Sequence, residues 1–315
     1  MRILVTGGAG FIGSHIAEGL LEAGHEVAVL DNLSTGHRKN VPAAAKFYEC
    51  DLRNDDLTRS TLRDFRPEAV SHQAAQASVA ISVRDPRLDA AVNVLGGLNL
   101  LEACTEQGSQ VRRFVFASTG GAIYGEVPAE LRADEATVAR PSSPYAIHKL
   151  AFEGLLACYR DTRNLPSTIL RYANVYGPRQ DPHGEAGVVA IFFAAALAGK
   201  KLRVNGRRQA GDAGCVRDYV YVADVVRANI LALDGRVEQP IMNIGTGEAT
   251  TTEDLARGIC QRLGVEQTFE YGVPRLGDLE RSVLDASIAF RYIGTPVPLS
   301  EGLDRTKVFY TERRD

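Results

Sequence analysis

The chain has 315 residues, 45% of them hydrophobic, and a formal net charge of −3. That length can bury a sizeable core as one large domain or two smaller ones, and the mild negative balance gives no electrostatic footprint for nucleic acid or an anionic membrane. No apolar run reaches transmembrane length, the start reads as a strand and not as a signal peptide, and the five cysteines (Cys50, Cys104, Cys158, Cys215, Cys260) are scattered. With no C-x-x-C and no Cys/His cluster, a disulfide framework or metal site is not expected, and a reduced cytoplasm suits the thiols.

Met1-Arg2-Ile3-Leu4 reads as the first strand. It leads through Val5-Thr6-Gly7-Gly8-Ala9-Gly10-Phe11-Ile12-Gly13-Ser14-His15 into residues 16–23, where apolar side chains recur at helical spacing. Gly7 suits the tight turn that ends the strand. Gly10 lets backbone approach a pyrophosphate, and Gly13 lets the helix pack close to the sheet. A diphosphate would then sit on the free N–H groups and positive dipole end of the helix. The spacing is G-x-x-G-x-x-G. Its strand-then-helix context separates it from an ordinary glycine-rich turn.

Residues 26–30 form a second strand closed by Asp31-Asn32, with Asp31 lying 21 residues after Gly10. A carboxylate there accepts both adenosine ribose hydroxyls and repels a 2′-phosphate, so the expected cofactor is NAD and not NADP. Arg38 and Lys39 follow as a solvated basic pair. After a third strand at 46–50, Asp51-Leu52 is placed either to frame the adenine or to serve as a turn or helix-capping aspartate.

Strands at 69–72, 113–117 and 167–171 alternate with helical patterns at 92–104 and 144–160, the last with Pro144 in its first turn. Strands spaced by helices predict an α/β fold, a doubly wound, Rossmann-like parallel sheet binding ligands beyond its carboxyl strand ends. Gly7, Asp31, His72, Ser118 and Tyr172 fall at such ends. From about Asn174 the pattern reads as less regular, which suggests a smaller C-terminal substrate lobe. The expected division is a dinucleotide-binding domain over 1–174, returning near 216–245, and a substrate lobe over 175–315.

Tyr145-Ala146-Ile147-His148-Lys149 carries the chemistry. Residues four apart share a helix face, and a lysine ammonium beside a tyrosine favours the phenolate as a base. Phe114-Val115-Phe116-Ala117-Ser118-Thr119-Gly120 delivers hydroxyls at a strand end.

These motifs resemble the extended short-chain dehydrogenase/reductases, and within them the UDP-glucose (UDP-galactose) 4-epimerases. The resemblance covers nearly the whole chain. It runs through Asp31-Asn32-Leu33-Ser34-Thr35-Gly36, His72-Gln73-Ala74-Ala75-Gln76-Ala77-Ser78-Val79, Asn93 and Leu170-Arg171-Tyr172-Ala173-Asn174-Val175-Tyr176-Gly177-Pro178-Arg179. It continues in Val216-Arg217-Asp218-Tyr219-Val220 and Arg275-Leu276-Gly277-Asp278. The resemblance implies an NAD-dependent isomerase acting on UDP-hexoses through a 4-keto sugar, and a homodimer pairing the helices at 92–104 and 144–160. It implies cofactor contacts from Gly7, Gly10, Phe11, Ile12, Gly13, Asp31, Asn32, Asp51, Leu52, Gln73, Ala74, Ala75, Gln76, Asn93, Tyr145, Lys149 and Tyr172.

On the substrate side, the resemblance makes Tyr145 the base and acid at sugar O4. Lys149 binds the nicotinamide ribose and tunes Tyr145. Asn174 bonds the diphosphate, Arg217 and Arg275 clamp it, and Asp278 accepts from the uridine ribose. Val188 lines the uracil pocket, and Ser282 gates the sugar. One departure stands out: the family's Ser or Thr four residues before Tyr124 is Gly120 here. Thr119 is the favoured substitute, with Ser118 or a water as the alternatives. A related 4,6-dehydratase needs an acid and base, and a decarboxylase a glutamate, where this chain has Gly121 and Ala122. A non-catalytic NAD-binding regulator would not need Tyr145 and Lys149.

Overall fold

The computed structural model describes residues 1–183, 187–275 and 278–312. In chain order the first elements are β1 (Arg2–Thr6), α1 (Phe11–Glu22), β2 (Glu26–Asp31), β3 (Lys46–Glu49), α2 (Asp55–Phe65) and β4 (Ala69–His72). Then come α3 (Val79–Arg84), α4 (Pro86–Ala90), a π-helical turn (Ala91–Gly96), α5 (Gly97–Thr105), β5 (Phe114–Thr119), α6 (Gly120–Ile123), α7 (Pro144–Arg163) and β6 (Ser167–Tyr172). The remainder holds β7 (Asn174–Tyr176), α8 (Val188–Leu197), β8 (Leu202–Asn205), β9 (Val216–Arg217), β10 (Tyr219–Tyr221), α9 (Val222–Leu233) and β11 (Ile241–Ile244). It ends with β12 (Thr250–Thr251), α10 (Thr252–Leu263), β13 (Phe269–Gly272), β14 (Arg281–Ser282), α11 (Ser287–Ile293) and α12 (Leu299–Glu312).

The main sheet has seven strands in the order β11-β6-β5-β4-β1-β2-β3, with β2 parallel to both β1 and β3, and β4 parallel to both β1 and β5. It is a doubly wound, Rossmann-like sheet. Central strands such as β5 are buried at every residue, so they read as continuous apolar runs and not as alternating ones. Leu4, Leu30, Leu100, Phe114, Phe116, Phe152 and Leu156 join one core. His72 packs among the rings of Phe114, Phe116 and Phe152 and pairs with Thr6 Oγ1 at 2.7 Å. Burial pushes its pKa down to about 3, so it is a neutral core imidazole.

Two compact units divide the chain. The first comprises Met1–Thr119, Pro141–Arg171 and Val225–Met242. The second comprises Gly120–Arg140, Tyr172–Asp224 and Asn243–Asp315. Within the second, β9 sits between β12 and β14 in a small sheet, β10 pairs with β7, and β13 pairs with β8.

Several expectations need correction. The first helix starts at Phe11, directly after its N-cap Gly10, so Gly13 lies inside it and not before it. The helix expected at 92–104 begins at Pro86 as α4, widens into the π-helical turn, and ends at Thr105. The helix expected at 144–160 runs on to Arg163, where Asn164 caps it in the left-handed conformation. Above all, the stretch after Asn174 is regular, with α8, α9, α10 and α12 spanning 10 to 14 residues each. Helix α8 (Val-Val-Ala-Ile-Phe-Phe-Ala-Ala-Ala-Leu) is apolar on all sides, so no period marks it. Among the described residues no helix is long and apolar enough to cross a membrane.

Candidate active site

The glycine loop follows β1 at the point where strand order reverses. Neighbours β2 and β4 flank β1 there, and ligands in doubly wound sheets bind at that position. Gly7 takes φ +68°, and a Cβ on it would lie 2.6 Å from the Ala74 nitrogen in the loop after β4. A Cβ on Gly13 would lie 2.2 Å from the Gly7 carbonyl oxygen. The two loops therefore meet backbone to backbone. Helix α1 begins at Phe11 after its N-cap Gly10, with no side-chain cap and no acidic residue in its first turn. The N–H groups of that turn, at Phe11, Ile12 and Gly13, present positive partial charge with no carboxylate to compete. This cradle fits a dinucleotide pyrophosphate.

Asp31, at the end of β2, is 7% exposed. Its Oδ2 accepts the Ala9 N–H at 3.0 Å and its Oδ1 the Leu33 N–H at 2.8 Å. Burial raises its pKa, and those two backbone bonds pull it back. Each oxygen keeps a lone pair for a ribose hydroxyl. Asn32 donates to Asp51 Oδ2 at 2.9 Å, and the Arg53 guanidinium grips both Asp51 oxygens, which holds that carboxyl below its ordinary range. Asp51 is a turn aspartate: it accepts the Arg53 N–H at 2.9 Å, while Asn54 caps α2. Leu52 is buried beside it.

After β4, Gln73 donates to Ser71 and Asn229, and Ala74 and Ala75 follow. Gln76 and Asn93 bond reciprocally: the Gln76 N–H donates to Asn93 Oδ1 at 3.0 Å, and Asn93 Nδ2 donates to the Gln76 carbonyl at 2.9 Å. Asn93 sits in the π-helical turn, a distortion often found at functional positions.

Helix α7 starts with Ser143 accepting the Ala146 N–H and with Pro144 in its first turn, which sets Tyr145 near its start. Tyr145 is half-buried and Lys149, one turn on, is buried. Lys149 Nζ donates to the Ala117 carbonyl on β5 at 2.9 Å and lies 4.7 Å from the Phe116 ring centre. Burial pushes its pKa down to about 8, against the pull of Asp89 and Glu153.

The two strand-end hydroxyls differ. Ser118 Oγ donates to Glu153 at 2.5 Å, inside a buried pair in which Arg171 holds both Glu153 oxygens at 3.0 and 2.6 Å. That geometry does not support the catalytic part considered for Ser118. Thr119 ends β5 one residue later. The charged residue behind Ser118 was traceable in the sequence, since Glu153 lies four residues after Lys149 on the same helix face.

In the second unit, Tyr172 ends β6 and Asn174 opens β7, with its N–H on the Asp218 carbonyl at 2.9 Å. Val188 is the first residue of α8. Arg217, half-buried on β9, is the register partner of Ser282 on β14. Ser282 is buried, 3% exposed. The Asp278 N–H donates to the Arg275 carbonyl at 3.3 Å, and both residues are exposed. Leu276 and Gly277 of that motif lie outside the described residues. Sequence reasoning passed over Asp218. Its buried carboxylate accepts from Thr246, Gly247 and Leu284, tying the end of β9 to two segments, the 246–247 loop and the stretch after β14.

Comparison with known proteins agrees with this geometry. Residues 3–245 match the NAD dependent epimerase/dehydratase family. The chain is similar to a UDP-glucose 4-epimerase of Mycolicibacterium smegmatis, 44% identical over 99% of both chains. A crystal structure of Thermus thermophilus UDP-glucose 4-epimerase in complex with NAD superposes with TM-score 0.95 at 53% identity, covering 99% of this chain and 100% of that one. The Thermotoga maritima UDP-glucose 4-epimerase with UDP-glucose gives TM-score 0.93 at 45% identity, covering 100% of both chains. With a glycine cradle, a buried lysine one turn after Tyr145 and a match over three quarters of its length, this chain belongs to the NAD-dependent epimerase/dehydratase family.

Proposed function

We propose that this chain is a UDP-glucose 4-epimerase that interconverts UDP-glucose and UDP-galactose with bound NAD. The observation that carries the reading is Lys149, buried on the Ala117 carbonyl one helical turn after Tyr145. Gly7, Gly10, Gly13, the first turn of α1, Asp31, Gln73, Gln76 and Asn93 would hold the dinucleotide. When bound, it supplies reversible hydride acceptance at the sugar C4. Tyr145 takes the proton from the 4-hydroxyl and returns it, and Lys149 keeps a positive charge that favours the phenolate. Thr119 supplies the hydroxyl missing at Gly120. Asn174, Arg217 and Arg275 bind the diphosphate, Asp278 the uridine ribose and Val188 the uracil. Firm grip on the nucleotide with few contacts to the hexose lets the keto sugar turn between its two faces.

A dehydratase or decarboxylase reading lacks its ionisable groups, because Gly121 and Ala122 stand in their places. Val83, Leu95 and Ile147 are exposed on α3, the π-helical turn and α7, which supports a homodimer formed through these helices. Five free cysteines suit a reducing cytoplasm, and the proposed interconversion would give the chain a part in galactose metabolism. The test is to incubate purified protein with each UDP-sugar and resolve the products chromatographically. Formation of the other epimer is expected. Release of a 4-keto-6-deoxy sugar or a pentose would assign the rival chemistry, and no turnover would leave NAD binding alone.

A further inference from the structure

Asp89 on α4 is fully buried. Its Oδ2 accepts from Gln76 Nε2 and, at 3.1 Å, from Asn93 Nδ2. Its Oδ1 accepts from Nδ1 of His148, the residue before Lys149. Gln76 is fixed at its other end as well, accepting the Ser78 N–H at 2.7 Å and donating to the Ser78 carbonyl at 3.0 Å. One carboxylate thus ties together three segments: the loop after β4, the π-helical turn and α7. Burying a carboxylate is costly, and a network that satisfies both its oxygens at three segments makes it rigid.

We propose that Asp89 is a positioning residue for the reaction: it fixes the Gln76–Asn93 pair assigned to the cofactor and, through His148, sets a negative charge beside Lys149. This rests on the function proposed above. The titratable and charged groups around Lys149 are Asp89 from α4, Tyr145 and Glu153 one turn before and after it on its own helix, and His72 from β4, with His148 next to it in the chain. His72 is neutral. Glu153 is held at both oxygens by Arg171, so its charge is already matched. Asp89 is then the carboxylate that supports the buried ammonium. Without it, burial lowers the lysine pKa further.

Asp89→Asn separates charge from geometry. Its amide oxygen still accepts from Gln76 and Asn93, and its NH2 can donate to Nδ1 of His148 in the tautomer that carries its proton on Nε2. Asp89→Leu removes both. We expect Asp89→Asn to keep NAD affinity within about twofold while the Lys149 titration, followed by NMR of its side chain, moves to lower pH by about half a unit or more. The alkaline limb of kcat moves the same way, with KM for the UDP-sugar little changed. Asp89→Leu weakens NAD by about tenfold or more in a calorimetric titration. An unmoved Lys149 titration in Asp89→Asn overturns the proposal, and that variant decides by itself if the leucine variant does not fold. The lysine titration needs no substrate. A shift there in a protein that fails to interconvert the UDP-sugars rejects the function and keeps the positioning role.

Discussion

Ser282 stands directly opposite Arg217 as its register partner between the parallel strands β14 and β9. The residue proposed as the sugar gate is thereby fixed to the strand that carries Arg217, the arginine proposed to clamp the diphosphate. A serine is small, so at the proposed gate it would leave room for a bulky 2-substituent. UDP-N-acetylglucosamine is expected to be epimerised alongside UDP-glucose. Ser282→Tyr is expected to reduce kcat/KM for the acetylated sugar about ten- to hundredfold more than for UDP-glucose. Wild-type indifference to the acetylated sugar, or equal slowing of both, would remove Ser282 from the gate.

Tyr145→Phe deletes one oxygen and no packing. Turnover is expected to fall about 100- to 10,000-fold with NAD affinity unchanged, since general acid–base transfer by that oxygen is lost. Single-turnover kinetics with bound NAD measures this. Activity near wild type would mean that another group takes the O4 proton.

Thr119 and Ser118 should separate function from stability. Thr119→Val is expected to slow turnover about tenfold or more while leaving the unfolding midpoint in place. Ser118→Ala removes a buried bond to Glu153 and is expected to lose about 1–3 kcal/mol of stability with turnover largely kept. Denaturant melts and steady-state rates on both variants check the pair. The reverse pattern would restore Ser118 as the catalytic hydroxyl.

Asp31→Ala is expected to cut the preference for NAD over NADP by about tenfold or more. It removes charge-assisted bonds to the ribose hydroxyls together with repulsion of the 2′-phosphate. Competitive binding of the two cofactors reads this directly, and a wild-type chain with equal affinity for both would show that Asp31 plays no part.

Lys149 links activity and stability to pH with opposite signs. Its pKa is about 8 in the fold against 10.5 in an ordinary lysine, so the folded chain binds fewer protons than the unfolded chain between those values. The cost of burying the charge is therefore full below about pH 8 and is relieved as pH rises toward 10.5. Turnover needs the charged form and should decline over the same window. Lys149→Met should flatten this local rise in stability and abolish most turnover. A melt series from about pH 7 to 10 on wild type and variant checks it. Parallel loss of both properties in wild type, with no difference from the variant, would refute the assignment.

The sequence by itself determined the parallel sheet, the glycine turn into α1, the carboxylate closing β2 and the Tyr145–Lys149 pair. Each of these rests on a local period or a short spacing, and backbone geometry converts such spacings directly into position. Only the tertiary structure decided that Ser118 serves Glu153 and Arg171, that Asp89 joins Gln76, Asn93 and His148, and that Ser282 faces Arg217. It also decided that β11 completes the main sheet beyond β6. Apart from Asp89 and Asn93, four residues apart, these pairings join residues well separated in the chain and leave no periodic trace. Helix α8 hid for a related reason: it is apolar all round, its exposed Ile191 included, and a helix without a polar face has no period to read.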